Sequence, residues 1–112
     1  MNIPLRIRNL IKRHDTNDPY KIAKELGITV LAVELPERTY GIFKRVLGRK
    51  YVLVNDSLPE GIQRFIVAHE LGHFLMHPGY SYYRMENRGY YASTKKEEEA
   101  DQFALLLLKN NM

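Results

Sequence analysis

The stretch "RFIVAHELGHFLMHP", residues 64–78, contains the pattern H-E-x-x-H inside an otherwise apolar run. On a helix, His69 and His73 lie one turn apart on the same side, so both imidazole rings can reach one metal ion. Glu70 lies beside that face, where its carboxylate can act as a general base towards a water molecule at the metal. The stretch therefore predicts a helix that supplies two metal ligands and a base.

The competing interpretation is an amphipathic helix that carries histidines by chance. One face of the predicted helix comprises Ile62, Phe65, Ile66, His69, His73 and Met76. Both histidines thus fall on the side predicted to be buried, where two imidazoles and a carboxylate would be costly to satisfy without an ion. Metal binding is therefore the favoured interpretation. The chain has no cysteine, so the ligands must be nitrogen and oxygen atoms, and zinc is the expected ion.

Length and composition favour one small domain. The chain has 112 residues, of which 45% are hydrophobic and 27% charged, which is enough for a single core spanning residues 1–112. Its apolar runs are far shorter than the roughly 20 residues needed to cross a bilayer. Together with the absence of cysteine, this predicts a cytoplasmic protein without membrane contact.

The net charge of +4 is concentrated in two basic segments, "RIRNLIKRH" at residues 6–14 and "KRVLGRK" at residues 44–50. Such charges most often keep a small domain in solution, and that is the favoured interpretation. The alternatives are attraction to nucleic acid or to an acidic protein partner. Direct nucleic-acid binding is not expected.

The N-terminal half predicts two helices followed by a sheet. The first helix covers residues 5–13. Asp18 caps the second, with Pro19 at its first position and Gly27 after its last turn. Segments rich in β-branched residues then predict three strands, at residues 28–35, 40–46 and 50–55. One face of such a sheet can pack against the helices.

The C-terminal half predicts two longer helices. Ser57 and Glu60 form a capping-box pattern, with Pro59 in the first turn, so the H-E-x-x-H helix should run from residue 58 to residue 77 and end at Pro78. Residues 79–94 predict a long loop or an irregular hairpin, with disorder as the alternative. A last helix is predicted from Ser93 or Thr94 to Lys109. The expected fold class is α+β: a small three-stranded sheet packed on helices, with a zincin-like pair of site helices.

The last helix offers the third ligand that a catalytic zinc site requires beside an open position for water. One stripe of this helix comprises Glu97, Ala100, Asp101, Ala104 and Leu108, and its alanines allow another helix to approach closely. Glu97 can then reach the metal, while Asp101 accepts a hydrogen bond from the outer nitrogen of a ligand histidine. Two alternatives for Glu97 stay open, a capping box with Thr94 and a solvated acidic face.

His77 continues the four-residue spacing of the two histidines but is a weaker candidate. Each four-residue step rotates the side chain about 40° around the helix axis, so two steps carry His77 away from the ion. We expect it to cap the helix or to lie at the rim of a cleft. Metal ligation by His77 is a minor alternative.

"AHELGH" at residues 68–73, followed by "EEEADQFA" at residues 97–104, resembles the ImmA/IrrE family of zinc metallopeptidases, whose second motif is E-x-E-A-(D/N)-x-F-A. The segment "NDPYKIAKELGITVL" is also similar to the N-terminal half of that family. This resemblance implies that His69, His73 and Glu97 bind zinc and that Glu70 is the base. After "FA" the chain departs from the family, because Leu105 and Leu106 stand where alanine and a charged residue are usual.

The resemblance also implies a role. Family members are encoded on phages, on mobile elements or in stress-response systems, and they cleave or inactivate helix-turn-helix repressors. We therefore expect a gluzincin-like metallo-endopeptidase. Its substrate could add to an exposed strand edge at residues 40–46 or 50–55. Candidate donors to the developing oxyanion are Tyr80, Tyr82, Tyr83, Tyr90 and Tyr91.

Two other functions compete with proteolysis. "IAKELGIT" at residues 22–29 resembles the start of a helix-turn-helix, but the segment after it predicts a strand where a recognition helix is needed. The stronger rival is a zinc-containing protein that inactivates a repressor by association, without cutting it. Because binding and cutting would use the same ligands, the sequence leaves these two possibilities open.

Overall fold

The computed structural model describes residues 1–77 and 94–110. Within them lie α1 (Ile3–His14), α2 (Pro19–Glu25), β1 (Ile28–Val33), β2 (Gly41–Val46), β3 (Arg49–Asn55), α3 (Glu60–Met76) and α4 (Thr94–Lys109). This α+β arrangement, a small sheet packed on helices, is the predicted fold class. None of the helices described is both long enough and apolar enough to cross a membrane. The predicted tyrosine-rich loop lies outside the described residues.

The three strands form one mixed sheet in the order β1-β3-β2. β3 is central: it pairs in parallel with β1, with Ile28 opposite Lys50, and antiparallel with β2, with Gly41 opposite Val54. The expectation that residues 50–55 could offer a free edge was therefore wrong, because β3 has partners on both sides. Among the described residues, β2 pairs with a strand on one side only, so it stays a candidate for that role.

The hydrophobic core lies between the helices and one face of the sheet. Alternate residues of β3, such as Val52 and Val54, are 1% exposed because they point towards the helices. α3 packs against both the sheet and α4, while α1 packs against α4. The central part of α3 is thus enclosed, and any polar side chain there must find its partners inside the protein.

The first two helices follow their capping residues. α1 begins at Ile3, two residues before the predicted start, because the Asn2 side chain accepts a hydrogen bond from the Leu5 amide at 3.0 Å. In α2 the predicted cap is confirmed: Asp18 accepts from the Tyr20 amide at 2.9 Å. Gly27 has a φ of 76° just after the last turn of α2, as a helix-terminating glycine requires.

The start of α3 differs from the prediction. The helix begins at Glu60, and Pro59 occupies the N-cap position without a side-chain cap. Ser57 forms no capping box because its hydroxyl donates to Oδ1 of Asn55 at 2.8 Å. Ile62, predicted on the buried face, is 49% exposed, so the buried part of α3 begins later, near Ile66.

Candidate metal centre

α3 and α4 approach closely because a glycine faces a phenylalanine. A Cβ atom placed on Gly72 would lie 2.9 Å from Cδ1 of Phe103, closer than real side chains allow. Phe103 is 1% exposed, and Ala100 and Ala104 beside it on α4 are fully buried. The small residues that the sequence predicted at this contact therefore let the two helices meet at the level of the histidines.

The structure brings His69, His73 and Glu97 together. Nε2 of His69 lies 3.2 Å from Oε1 of Glu97, and Nε2 of His73 lies 2.9 Å from Oε2 of the same carboxylate. One donor atom from each residue falls within 4.8 Å of the others, and all three side chains are buried. Among the described residues this is the one group of three such side chains with the spacing of a metal site.

The donor set fits a metal ion. The three donor atoms, which lie within 4.8 Å of one another, are close enough for one ion to contact all of them. Two imidazoles and one carboxylate are a ligand set that zinc takes in catalytic sites, where a fourth position stays open. His69, His73 and Glu97 could therefore hold a metal ion between α3 and α4.

Asp101 lies on the far side of the His69 ring. Its Oδ1 is 2.8 Å from Nδ1 of His69, so that nitrogen donates to the carboxylate and Nε2 faces Glu97. Asp101 is one helical turn after Glu97, which places both carboxylates on the same side of α4. The predicted hydrogen bond between Asp101 and a histidine of the site is thus confirmed.

The charges of the cluster are strongly coupled. Burial by itself lowers the pKa of His69, but hydrogen bonds to Asp101 and Glu97 outweigh it and raise that pKa to about 9. Burial by itself raises the pKa of Glu97, but hydrogen bonds from His69 and His73 outweigh it and lower that pKa to about 2. Burial lowers the pKa of His73. Glu97 is therefore ionised and ready to bind a cation at neutral pH.

His77 occupies the C-cap position of α3, as predicted, and its amide donates to the carbonyl of His73. Its Nε2 lies 3.5 Å from Oε1 of Glu99. His77 does not belong to the cluster of His69, His73 and Glu97 that could hold a metal ion. Burial lowers the pKa of His77. Glu98 is exposed. Of the three consecutive glutamates, Glu97 alone joins His69 and His73.

Glu70 follows His69 directly and is fully buried. β2 passes close to it, since a Cβ atom on Gly41 would lie 3.9 Å from Cγ of Glu70 and 2.5 Å from Cγ2 of Ile66. The second distance is far too short, so with a side chain at position 41 either the Ile66 side chain would have to shift or β2 would have to separate from α3. Gly41 thus keeps an edge strand beside the predicted base.

Asn55 and Gly41 help to position this region but were not singled out from the sequence. The Asn55 amide donates to the carbonyls of Leu35, Pro36 and Thr39 at 3.3, 3.3 and 3.0 Å, which fixes the segment leading into β2. A signal existed in the pattern N-D-S-x-P, because asparagine before serine favours a turn with side-chain hydrogen bonds. For Gly41 the sequence carried no comparable signal.

A cavity of about 250 Å³ lies elsewhere, between α1, α3 and α4. Its lining consists of Arg6, Asn9, Leu10, Arg13, Leu75 and Phe103. None of the three clustered side chains borders it, so this cavity is separate from the candidate metal centre.

A buried His-His-Glu cluster between an H-E-x-x-H helix and a second helix is the arrangement typical of metallopeptidases. The sequence profile of the IrrE N-terminal-like domain, peptidase family M78, matches residues 23–110. The chain therefore belongs to the ImmA/IrrE family of metallopeptidases.

Two relatives support this assignment. The chain is 33% identical over 106 residues to uncharacterized immunity region protein 2 of Bacillus phage phi105, covering 95% of this chain and 67% of that protein. It is 28% identical over 105 residues to metallopeptidase ImmA of Bacillus subtilis strain 168, covering 92% of this chain and 60% of the relative. This chain thus spans about two thirds or less of each relative. No solved structure shows a significant match.

Proposed function

We propose that this protein is a zinc-dependent metallo-endopeptidase of the gluzincin type. His69, His73 and Glu97 bind the zinc ion, Glu70 acts as the general base, and residues 1–112 form one domain. The observation that carries the proposal is the contact of one buried carboxylate, that of Glu97, with both histidines of the H-E-x-x-H helix at 3.2 and 2.9 Å.

Zinc held by three side chains would acidify a water molecule and polarise a peptide carbonyl. Glu70 would accept the proton of that water and pass it to the amine of the leaving peptide. The burial of Glu70 suits this role, because excluding solvent strengthens its interactions with reacting charges. Asp101 would hold His69 in the tautomer that directs Nε2 to the metal.

The proposed substrate is a helix-turn-helix repressor of a phage, mobile element or stress-response system, met in the cytoplasm. In support, one relative is named an immunity region protein and comes from a phage. β2, which pairs with only one strand of the part of the chain that the structure describes, lies beside α3 at Glu70. An extended peptide could pair with its other edge by main-chain hydrogen bonds. This edge would then present the peptide to the base.

The decisive experiment uses the purified, zinc-loaded protein and the regulator encoded next to it. We expect the wild type to produce fragments visible by mass spectrometry. Glu70→Gln should retain zinc and produce none, since an amide cannot accept the proton. The matched control is Glu98→Gln, an exposed glutamate on α4, which should cut like the wild type.

Two results would contradict the proposal. Equal fragmentation by Glu70→Gln and wild type would remove Glu70 from the chemistry. A stable complex with the regulator, with no fragments from any variant, would favour the alternative of a zinc-containing protein that inactivates its partner by association.

A further inference from the structure

The hairpin of β2 and β3 concentrates positive charge at its tip. Residues 44–50 include Lys44, Arg45, Arg49 and Lys50, and the whole span 41–55 contains no acidic residue. Arg45 lies directly opposite Lys50 in the antiparallel register. Like charges in that position destabilise a strand pair. Within residues 1–77 and 94–110, no carboxylate forms an ion pair with any of the four.

Two of these charges are held in place by aromatic rings. The rings of Phe43 and Phe74 stack with their centroids 5.5 Å apart. The guanidinium of Arg45 lies 5.6 Å from each centroid, and the ammonium of Lys50 lies 4.7 Å from that of Phe74. Cation–π contacts of this kind fix a cation without neutralising it. The hairpin therefore presents preorganised positive charge.

Leu47 occupies the turn between the two strands that carry these cations. It is 98% exposed and has a φ of 50°, a backbone conformation that leucine rarely adopts. Two-residue hairpin turns of this kind prefer asparagine or glycine, as Gly48 illustrates at the next position with a φ of 79°. Leu47 thus departs from the residue preference of the turn and stays exposed to solvent. A bulky apolar residue in such a position is typical of a binding site.

Further apolar side chains lie on the outer face of the sheet. Val46 is 41% exposed beside Leu47. By alternation and register, the next row of that face contains Lys44, Tyr51 and Thr29. The row after it contains Ile42, Leu53 and Leu31, the last of them 43% exposed. This face of the sheet therefore carries an apolar row two rows away from Val46.

We propose that this basic hairpin, residues 42–50, binds an acidic protein surface with an apolar recess that receives Leu47. Acidic side chains would pair with Lys44 and Arg49, and the recess would bury Leu47. Nucleic acid fits less well, because phosphates would satisfy the cations but leave Leu47 and the apolar row of the sheet exposed. This surface does not include the metal ligands, so it can be tested apart from the proposed peptidase activity.

The test titrates the whole, isotope-labelled protein with three probes while amide NMR shifts are followed. The first probe is the acidic peptide LEELEELEELEE. The second is SEESEESEESEE, with equal charge but no leucine, and the third is a DNA duplex of 12 base pairs. We expect the first to shift the amides of residues 42–50 and to bind at least about tenfold more tightly than the others. Equal binding of both peptides, tighter binding of DNA, or no shift in the hairpin would overturn the proposal.

Variants separate binding from folding. Leu47→Asn should weaken the leucine peptide about tenfold without lowering the melting temperature, since asparagine suits a positive φ. Leu105→Gln, at a 60% exposed leucine on α4, should change neither peptide binding nor the melting temperature.

A second pair of variants tests the charges. Lys44→Glu with Arg49→Glu should abolish binding, while Arg8→Glu with Lys21→Glu, which gives the same net charge, should preserve it. If both charge variants lost binding equally, binding would depend on the net charge of the protein and not on the hairpin. That result would overturn the proposal.

Discussion

Nδ1 of His69 lies 2.8 Å from Oδ1 of Asp101, although 32 positions separate the two residues in the chain. This hydrogen bond joins α3 to α4 one turn away from Glu97, which contacts Nε2 of the same ring. The imidazole is therefore fixed from both edges. Its rotation, and which nitrogen faces the candidate metal, are set by α4.

Asp101→Asn should weaken metal binding. The amide can no longer accept a charge-assisted hydrogen bond from His69, so the ring loses its preferred tautomer and orientation. We expect a loss of about 10- to 100-fold in affinity, measured by competition with a chromophoric chelator. Glu99→Gln, at a half-buried carboxylate of the same helix that contacts His77 instead, serves as the control. Unchanged affinity in Asp101→Asn would mean that the tautomer is fixed by other contacts.

Glu97→Gln should abolish the stabilisation that a metal gives. Binding to the folded state raises stability by an amount set by ligand concentration over its dissociation constant. Added zinc should therefore raise the melting temperature of the wild type and of Glu98→Gln, whose side chain is exposed. Glu97→Gln should show no such rise, because the variant lacks the buried carboxylate that is the proposed third ligand. An equal rise in all three proteins would exclude Glu97 as a ligand.

Local spacing explains what could be predicted from the sequence. His69 and His73 share a helix, so their mutual placement depends only on helical geometry. Predicting the position of Glu97 also required the contact between two helices. The small residues on its stripe of α4 indicated a close contact with another helix, and the structure shows that contact at Gly72 and Phe103. The clustering of these side chains was thus predictable, and their role as ligands stays a prediction.

Competition between side chains explains what could not be predicted. Ser57 and Glu60 matched a capping box, but the Ser57 hydroxyl instead donates to the Asn55 side chain at 2.8 Å. The local sequence pattern does not indicate which of these two hydrogen bonds the hydroxyl forms. The central place of β3 likewise depends on which strands pair across the chain. Gly41 is required only because β2 happens to cross α3 at Ile66.

Metal uptake should release one proton at neutral pH. In the metal-free protein the pKa of His69 is raised to about 9, so at pH 7 its ring is protonated and must lose a proton to bind a cation. The pKa of His73 is lowered and that of Glu97 is about 2, so neither contributes at pH 7. Apparent affinity should rise about tenfold per pH unit from pH 7 and level off near pH 9.

Calorimetric titration with zinc in buffers of different ionisation enthalpy measures the number of protons released when the metal binds. Asp101→Asn is the informative variant, because removing the carboxylate lowers the pKa of His69 and should reduce the number released. Release of no proton by the wild type at pH 7 would show that His69 is neutral before the metal arrives.

Gly72→Ala should loosen the contact between α3 and α4. The added methyl would lie 2.9 Å from Cδ1 and 3.2 Å from Cβ of Phe103, so the helices must separate or the ring must shift. We expect a loss of about 1–3 kcal/mol in the free energy of unfolding, measured in urea. Metal affinity should fall as well, since Glu97 moves with α4. Gly61→Ala is the matched control on α3: nothing lies within 4 Å of its added methyl, so stability should rise by about 0.5 kcal/mol. If Gly72→Ala were as stable as Gly61→Ala, the close approach at Phe103 would not be what holds the site together.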